Sequence, residues 1–303
     1  MSATLTDLPT VPREPAPPRL VGGRRPAREV AFRLALLASL AIAVAFLAVL
    51  IVFVVQQGWP RLDSRLWRNF PSIRAPENAG AQSAIMGTLW VIAFTALYSL
   101  PTGIMAAIYL EEYADRDRWY NRLIEVNIQN LAAVPSIVYG ILGLGVISRG
   151  LGFGQTVLTA SLTLSLLVLP IVIISSREAI RAVPNSIRDG SYALGATNWQ
   201  TVQRQVLPAS IPGMATGSIL ALSRAIGEAA PLLLLGGLTF ITFNPTGVES
   251  PFTVLPIQIF NWISQSREEF KVLAAASIVV LLVILLAMNS VAIWLRNKYQ
   301  RRM

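Results

Sequence analysis

Two charged residues stand inside an otherwise apolar run of this chain. Arg224 and Glu228 lie within residues 211–238, a stretch long enough to cross a bilayer. A charge at mid-bilayer costs on the order of 2.5–3.5 kcal/mol on insertion scales, so both must face protein or a water-filled path rather than lipid. Spaced i, i+4, they share one helical face and can pair. Two chemistries fit that pair. The guanidinium can meet an anion in transit while the carboxylate holds its orientation and keeps it from trapping the anion, or the two can form a structural lock between this span and its neighbours. Pro231, one turn on, weakens the helix and marks a bend beside them. The chain has no histidine and no cysteine. That removes the commonest general base near neutral pH, the commonest metal ligand, and all thiol and disulfide chemistry. No Gly-x-x-x-x-Gly-Lys-Ser/Thr loop occurs, so any ATP-driven process needs its motor on another polypeptide. Glu111 and Glu112 fall at a span end and are expected to be ordinary solvated carboxylates. No catalytic residue, metal site or cofactor is expected.

The elements around the pair follow from composition. Of 303 residues, 54% are hydrophobic and 14% charged, with a mean hydropathy of +0.57. These values describe a polytopic all-α membrane protein rather than a soluble globule. Six transmembrane helices are predicted, at about 32–55, 84–110, 128–147, 155–175, 211–238 and 272–295. Residues 1–27, rich in Pro, Thr and Arg, read as a disordered cytoplasmic tail ahead of a permease domain at 28–303. Their polar length, and that of the apolar run after them, argue against a cleavable signal peptide. The net charge of +9 does not point to nucleic acid, because the arginines gather at the ends and beside spans, where anionic lipid and membrane orientation account for them. Arg24, Arg25, Arg28 and Arg33 precede the first span, and Arg296, Lys298, Arg301 and Arg302 follow the last, so both termini are expected in the cytoplasm. The slightly acidic segment 111–125 and the arginine-bearing outer loop 56–83 fit this rule less well. A short helix is expected at about 254–264 in the last outer loop. Gly140, Gly143 and Gly145 in the third span, and Gly213 and Gly217 in the fifth, are expected to let helices approach closely.

One polar island, residues 177–208, interrupts the spans. Two short helices can be read in it. Pro184 fits a first turn, Ser186 with Asp189 has capping-box spacing, and Gly195 ends the first helix. Thr197 with Gln200 repeats the box and starts a second helix running to Leu207-Pro208. Ile187, Ser191 and Leu194, then Trp199, Val202 and Val206, give each helix one mainly apolar stripe. Such a segment is either a docking surface or an amphipathic linker resting on lipid headgroups.

The island resembles the EAA loop of ABC-importer permeases, whose pattern is Glu-Ala-Ala, three residues, Gly, nine residues, Ile-x-Leu-Pro. Asp189-Gly190-Ser191, Gly195 and Gln205-Val206-Leu207-Pro208 keep that spacing, with Asp for Glu, Gly-Ser for Ala-Ala, and Gln205 where an aliphatic residue is usual. The runs Val134-Pro135-Ser136-Ile137-Val138-Tyr139-Gly140 and Ser223-Arg224-Ala225-Ile226-Gly227-Glu228-Ala229-Ala230-Pro231-Leu232 are similar to the phosphate-specific (Pst) permeases, of the PstA-type subunit. The resemblance covers most of the chain from about residue 80. It implies a MetI-like type I ABC importer permease that pairs with a related permease subunit, two ATPase subunits and an extracytoplasmic phosphate-binding protein. It assigns ATPase docking to Asp189, Gly195, Ala196, Trp199, Leu207 and Pro208, and the substrate path to Arg224 and Glu228. Rival readings are another oxyanion as cargo (sulfate, molybdate or phosphonate), a secondary transporter with Glu228 as proton carrier, and a membrane scaffold without transport.

Overall fold

The computed structural model describes residues 27–115, 117–237 and 240–300. The expected tail at 1–27 lies outside them except for its last residue, as do Arg24, Arg25, Arg301 and Arg302. The described residues are helical, with no strand among them. Helix α1, Ala27–Gly58, is apolar on all sides apart from its first turns, and residues 27–51 are exposed along their whole length. These residues form a unit of their own, and everything from Val52 onward forms a second. An all-round apolar helix suits lipid better than a one-sided protein core.

In the second unit a 3-10 turn, Trp59–Arg61, leads to α2, Ser64–Arg68, capped by the Asp63 carboxylate, which accepts from the amides of Arg65 and Leu66. Then follow α3, Gln82–Ile108, with a π-helical turn at Tyr109–Tyr113, and α4, Trp119–Ala133. Helix α5, Ser136–Leu142, continues as π-helix over Gly143–Gly150, and α6 spans Val157–Arg181. Helices α7, Asn185–Ala193, and α8, Asn198–Thr201, precede a π turn at Val202–Val206 that leads into α9, Leu207–Gly227. Helices α10, Ala230–Leu234, α11, Leu255–Ile263, and α12, Glu268–Gln300, complete the order. The predicted short helix at 254–264 is α11.

Five helices among the described residues are long and apolar enough to cross a membrane, and a bent helix pair makes six when it is counted as one span. The third span, expected straight over 128–147, is broken: α4 and α5 meet at 104°. Pro135 lacks an amide and disfavours helical geometry in the residue before it, so Val134 is extended at φ −67, ψ 131. The fifth span is broken too. Helix α9 stops at Gly227, and Glu228 is extended at φ −77, ψ 109. The bend thus falls before Pro231, which sits in the first turn of α10, where a missing amide goes unnoticed.

Helices α3, α6 and α9 make the central core, with Val91, Leu164, Val168, Val172, Ala221 and Ala225 all but fully buried. Hydroxyls reinforce the α3–α6 seam. Ser161 and Ser165 bond within α6 at 2.7 and 2.6 Å and lie 3.2 and 3.3 Å from the Val91 and Thr95 carbonyls of α3. Close approach depends on missing side chains. A β-carbon on Gly217 would collide with Ser175, and one on Gly213 would lie 2.7 Å from that of Ala179. At Gly140 it would lie 2.7 Å from Pro231 Cα, which binds one broken span to the other. The packing role expected of the glycines does not extend to Gly145, whose β-carbon position faces open space. Gly140→Val should lower stability by roughly 1–3 kcal/mol, since the obstacle is backbone that cannot move aside cheaply. A lower thermal midpoint for the detergent-solubilised protein is the expected reading.

Candidate functional site

Arg224 occupies the last turn of α9, where a cation complements the negative end of the helix. Its Nε donates to Glu228 Oε1 at 3.1 Å. The predicted pair therefore forms, but across the end of a helix rather than along one. Arg224 is 48% exposed and Glu228 16%. Among the described residues no other hydrogen bond or ion pair reaches either side chain, so the pair does not tie α9 to a neighbouring helix. The guanidinium keeps most of its fork of donors for something outside the chain. Its surroundings are polar. The preceding Ser223 Oγ lies 2.6 Å from Asn289 Oδ1 on α12. Tyr139, one residue before the glycine that seats on Pro231, bridges the α4–α5 break by donating to the Leu131 carbonyl at 2.8 Å.

The polar island resolves into several parts. Arg177 and Arg181 belong to α6, which is longer than the predicted fourth span. The capping box expected at Ser186–Asp189 does not form. Pro184 is the N-cap at φ −58, ψ 139, outside the first turn expected for it, so α7 begins at Asn185, two residues before the start the box implies, and has no side-chain cap. The turn expected at Gly195 is present with φ +81, a left-handed conformation that any β-carbon would strain. The second box forms fully: Gln200 N donates to Thr197 Oγ1 at 3.3 Å, and Thr197 N to Gln200 Oε1 at 2.9 Å. The second helix does not end at Leu207-Pro208. Across the π turn the bonding register shifts just before Pro208, and the helix runs on to Gly227.

The two apolar stripes have different fates. Val202 and Val206 are fully buried, whereas Trp199 is 58% and Leu194 90% exposed. A groove of about 550 Å³ lies between the short helices, lined in part by Ile187, Leu194, Gly195, Ala196, Gln200 and Arg204. Of the predicted docking residues, only Gly195 and Ala196 line it. Asp189 and Trp199 are exposed outside it. Leu207 and Pro208 are partly buried, and Leu207 packs against a core containing Ile180, Val206 and Met214.

The structure corrects the expectation for Glu111 and Glu112. Their side chains are 3% and 6% exposed, not solvated. Arg181 grips Glu111 with two bonds, Nε to Oε1 at 3.0 Å and Nη2 to Oε2 at 3.1 Å, while Arg177 reaches Glu111 at 3.4 Å and Glu125 at 3.0 Å. Arg188 of α7 donates to Glu112 Oε1 at 2.7 Å. These bonds set Glu111, Glu112 and Glu125 among the island's arginines. The three arginines within one short stretch were the available signal, but their partners lie 52 to 76 residues away.

The family model described as "binding-protein-dependent transport system inner membrane component" matches residues 99–303. A probable ABC transporter permease protein of Bacillus subtilis, YqgI, is 30% identical over 275 residues, covering 87% of this chain and 93% of the relative. The phosphate transport system permease protein PstA 1 of Mycobacterium tuberculosis is 31% identical over 268 residues, covering 87% of each. Among solved structures, a chain of a bacterial alginate ABC transporter, in complex with an alginate-bound periplasmic protein, superposes with a TM-score of 0.61 at 15% identity. It covers 91% of this chain and 99% of that one, a likeness of fold.

Proposed function

Because the chain belongs to the family of binding-protein-dependent transport system inner membrane components, we propose that it is the permease subunit of an ATP-driven phosphate importer. It is a multi-pass membrane protein and a transport subunit rather than an enzyme. The phosphate cargo is supported by likeness to the PstA 1 relative. The observation that carries the site is an arginine at the end of α9, half exposed, whose one bonded partner among the described residues is Glu228. Guanidinium suits phosphate oxygens through its planar fork, and Glu228 occupies only part of that fork. A path must pass its cargo rather than hold it, so a single arginine offset by a carboxylate is the right strength of contact.

In this reading a related permease subunit supplies the other half of the path, facing Arg224. The exposed tip formed by Leu194, Gly195, Ala196 and Trp199, with Asp189 beside it, seats in one of two cytoplasmic ATPase subunits. Closure of the ATPase pair on ATP moves α7 and α8, and the spans rock so that an extracytoplasmic binding protein can deliver its anion. Both termini lie in the cytoplasm with the island, in keeping with Arg28 and Arg33 before the first span and Arg296 and Lys298 after the last. Another oxyanion as cargo would use the same fork. Uptake of labelled phosphate by the reconstituted importer, against excess sulfate, molybdate or phosphonate, decides between them. Phosphate uptake should resist all three. Strong inhibition by one of them would reassign the cargo.

A further inference from the structure

Glu112 is held by both short helices of the island at once. Its carboxylate accepts from Arg188 of α7 at 2.7 Å, and its backbone carbonyl lies 3.5 Å from the Asn198 amide nitrogen at the start of α8. Asn198 is in turn tied back to α7 by Tyr192, whose hydroxyl lies 3.2 Å from Oδ1. Arg188 also donates to the carbonyls of Val183 at 2.7 Å and Ile180 at 3.1 Å, which fixes α7 to the end of α6. One residue back, Glu111 is clamped by Arg177 and Arg181 of α6, and Arg177 passes the connection on to Glu125 of α4.

Resting on the importer reading, we infer that the Glu112–Arg188 bond is the joint through which movement of the docking segment reaches the second and third spans. Three features support it. The bond is buried, with Arg188 15% and Glu112 6% exposed, so pulling it apart strands a charge away from water, and the two ends move together instead. Glu112 lies in a π-helical turn, a irregularity that shifts the bonding register where α3 ends. The series also leads somewhere. From Glu125, α4 runs to the Pro135 break, and α5 beyond it carries Gly140, seated on Pro231 just past Glu228. Docking segment and candidate anion contact are thereby joined through packed helices and ion pairs, of which the Glu125 end is partly exposed. Glu112 and Arg188 act here as positioning residues and touch no cargo.

The test uses the full importer in proteoliposomes, with ATP hydrolysis and labelled phosphate uptake measured side by side. Glu112→Gln keeps the shape of the side chain and removes its charge. It should retain the ATPase subunit and hydrolysis, while phosphate taken up per ATP falls about tenfold. Arg188→Gln alone should behave no better, and the two combined should lose no more than the worse single variant, because both break the same joint. A wild-type ratio in Glu112→Gln, loss of the ATPase subunit from that complex, or losses that simply add in the double variant would each overturn the joint. Failure of the wild-type complex to hold an ATPase or take up phosphate would instead sink the importer reading.

Discussion

Arg224→Ala leaves the importer assembled and cuts phosphate uptake by about ten- to a hundredfold, the loss expected when the path gives up a charge-assisted hydrogen bond. Assembly is spared because, among the described residues, Arg224 bonds only to Glu228. Truncating it also leaves Glu228 without its counter-charge beside the path, so an approaching anion meets a bare carboxylate. Arg224→Lys separates charge from shape: it restores the cation but not the fork, and uptake should fall between wild type and alanine. Glu228→Gln tests the opposing role. With the carboxylate neutralised, Arg224 holds the anion more tightly, so both the maximal rate and the half-saturating concentration should drop. Proteoliposomes holding both permeases, the ATPase and the binding protein provide the measurement. Normal uptake by Arg224→Ala would remove the arginine from the path.

Leu194→Asp combined with Trp199→Ala detaches the ATPase. A leucine 90% exposed beside a tryptophan 58% exposed, on a tip braced by a glycine turn and a capping box, has no structural role within its own chain. Central apolar anchors of an interface contribute on the order of 2 kcal/mol or more each, about thirtyfold in affinity. The ATPase should therefore part from the permease during gel filtration, while the thermal midpoint of the permease stays near wild type because the buried Val202 and Val206 are untouched. If the ATPase remained bound, the tip would not be its seat, and an interfacial linker would regain ground.

The spans, and the two short helices and turn of the polar island, were readable in the sequence because they are written in local patterns. Run length marks a bilayer crossing, and the Thr197–Gln200 box and Gly195 turn each need only a few neighbouring residues. The Arg224–Glu228 pair was readable for the same reason, being four residues apart. The breaks were partly readable. Pro135 signalled the first, yet the apolar residues beyond it kept 128–147 looking continuous, although α4 carries Asn127, Gln129 and Asn130. At the second break Pro231 drew attention to itself, while the chain bends at Glu228 and Ala229. The ion lattice was not readable. Glu111 and Glu112 look solvated because their sequence neighbours are a span end and a polar turn, and only tertiary folding brings arginines from 66 to 76 residues away to cover them. Local statistics carry no information about such partners.

The early end of α9 has a consequence that concerns water. Each carbonyl in a helix normally accepts from an amide four residues ahead, and a helix that stops leaves its last carbonyls without one. Here the Ala225 carbonyl finds the Glu228 amide at 3.3 Å, and the carbonyls after it lie where the chain has turned away. Hydrocarbon tails offer no donors, so non-helical backbone at this depth must lie against protein or water. The backbone alone, with both charges erased, would still demand a hydrated or protein-lined surrounding at residues 227 and 228, whereas the Ala229 carbonyl already accepts from the Leu233 amide at 2.9 Å. A wet or protein-lined surrounding at this break is thus built into the fold before any anion arrives.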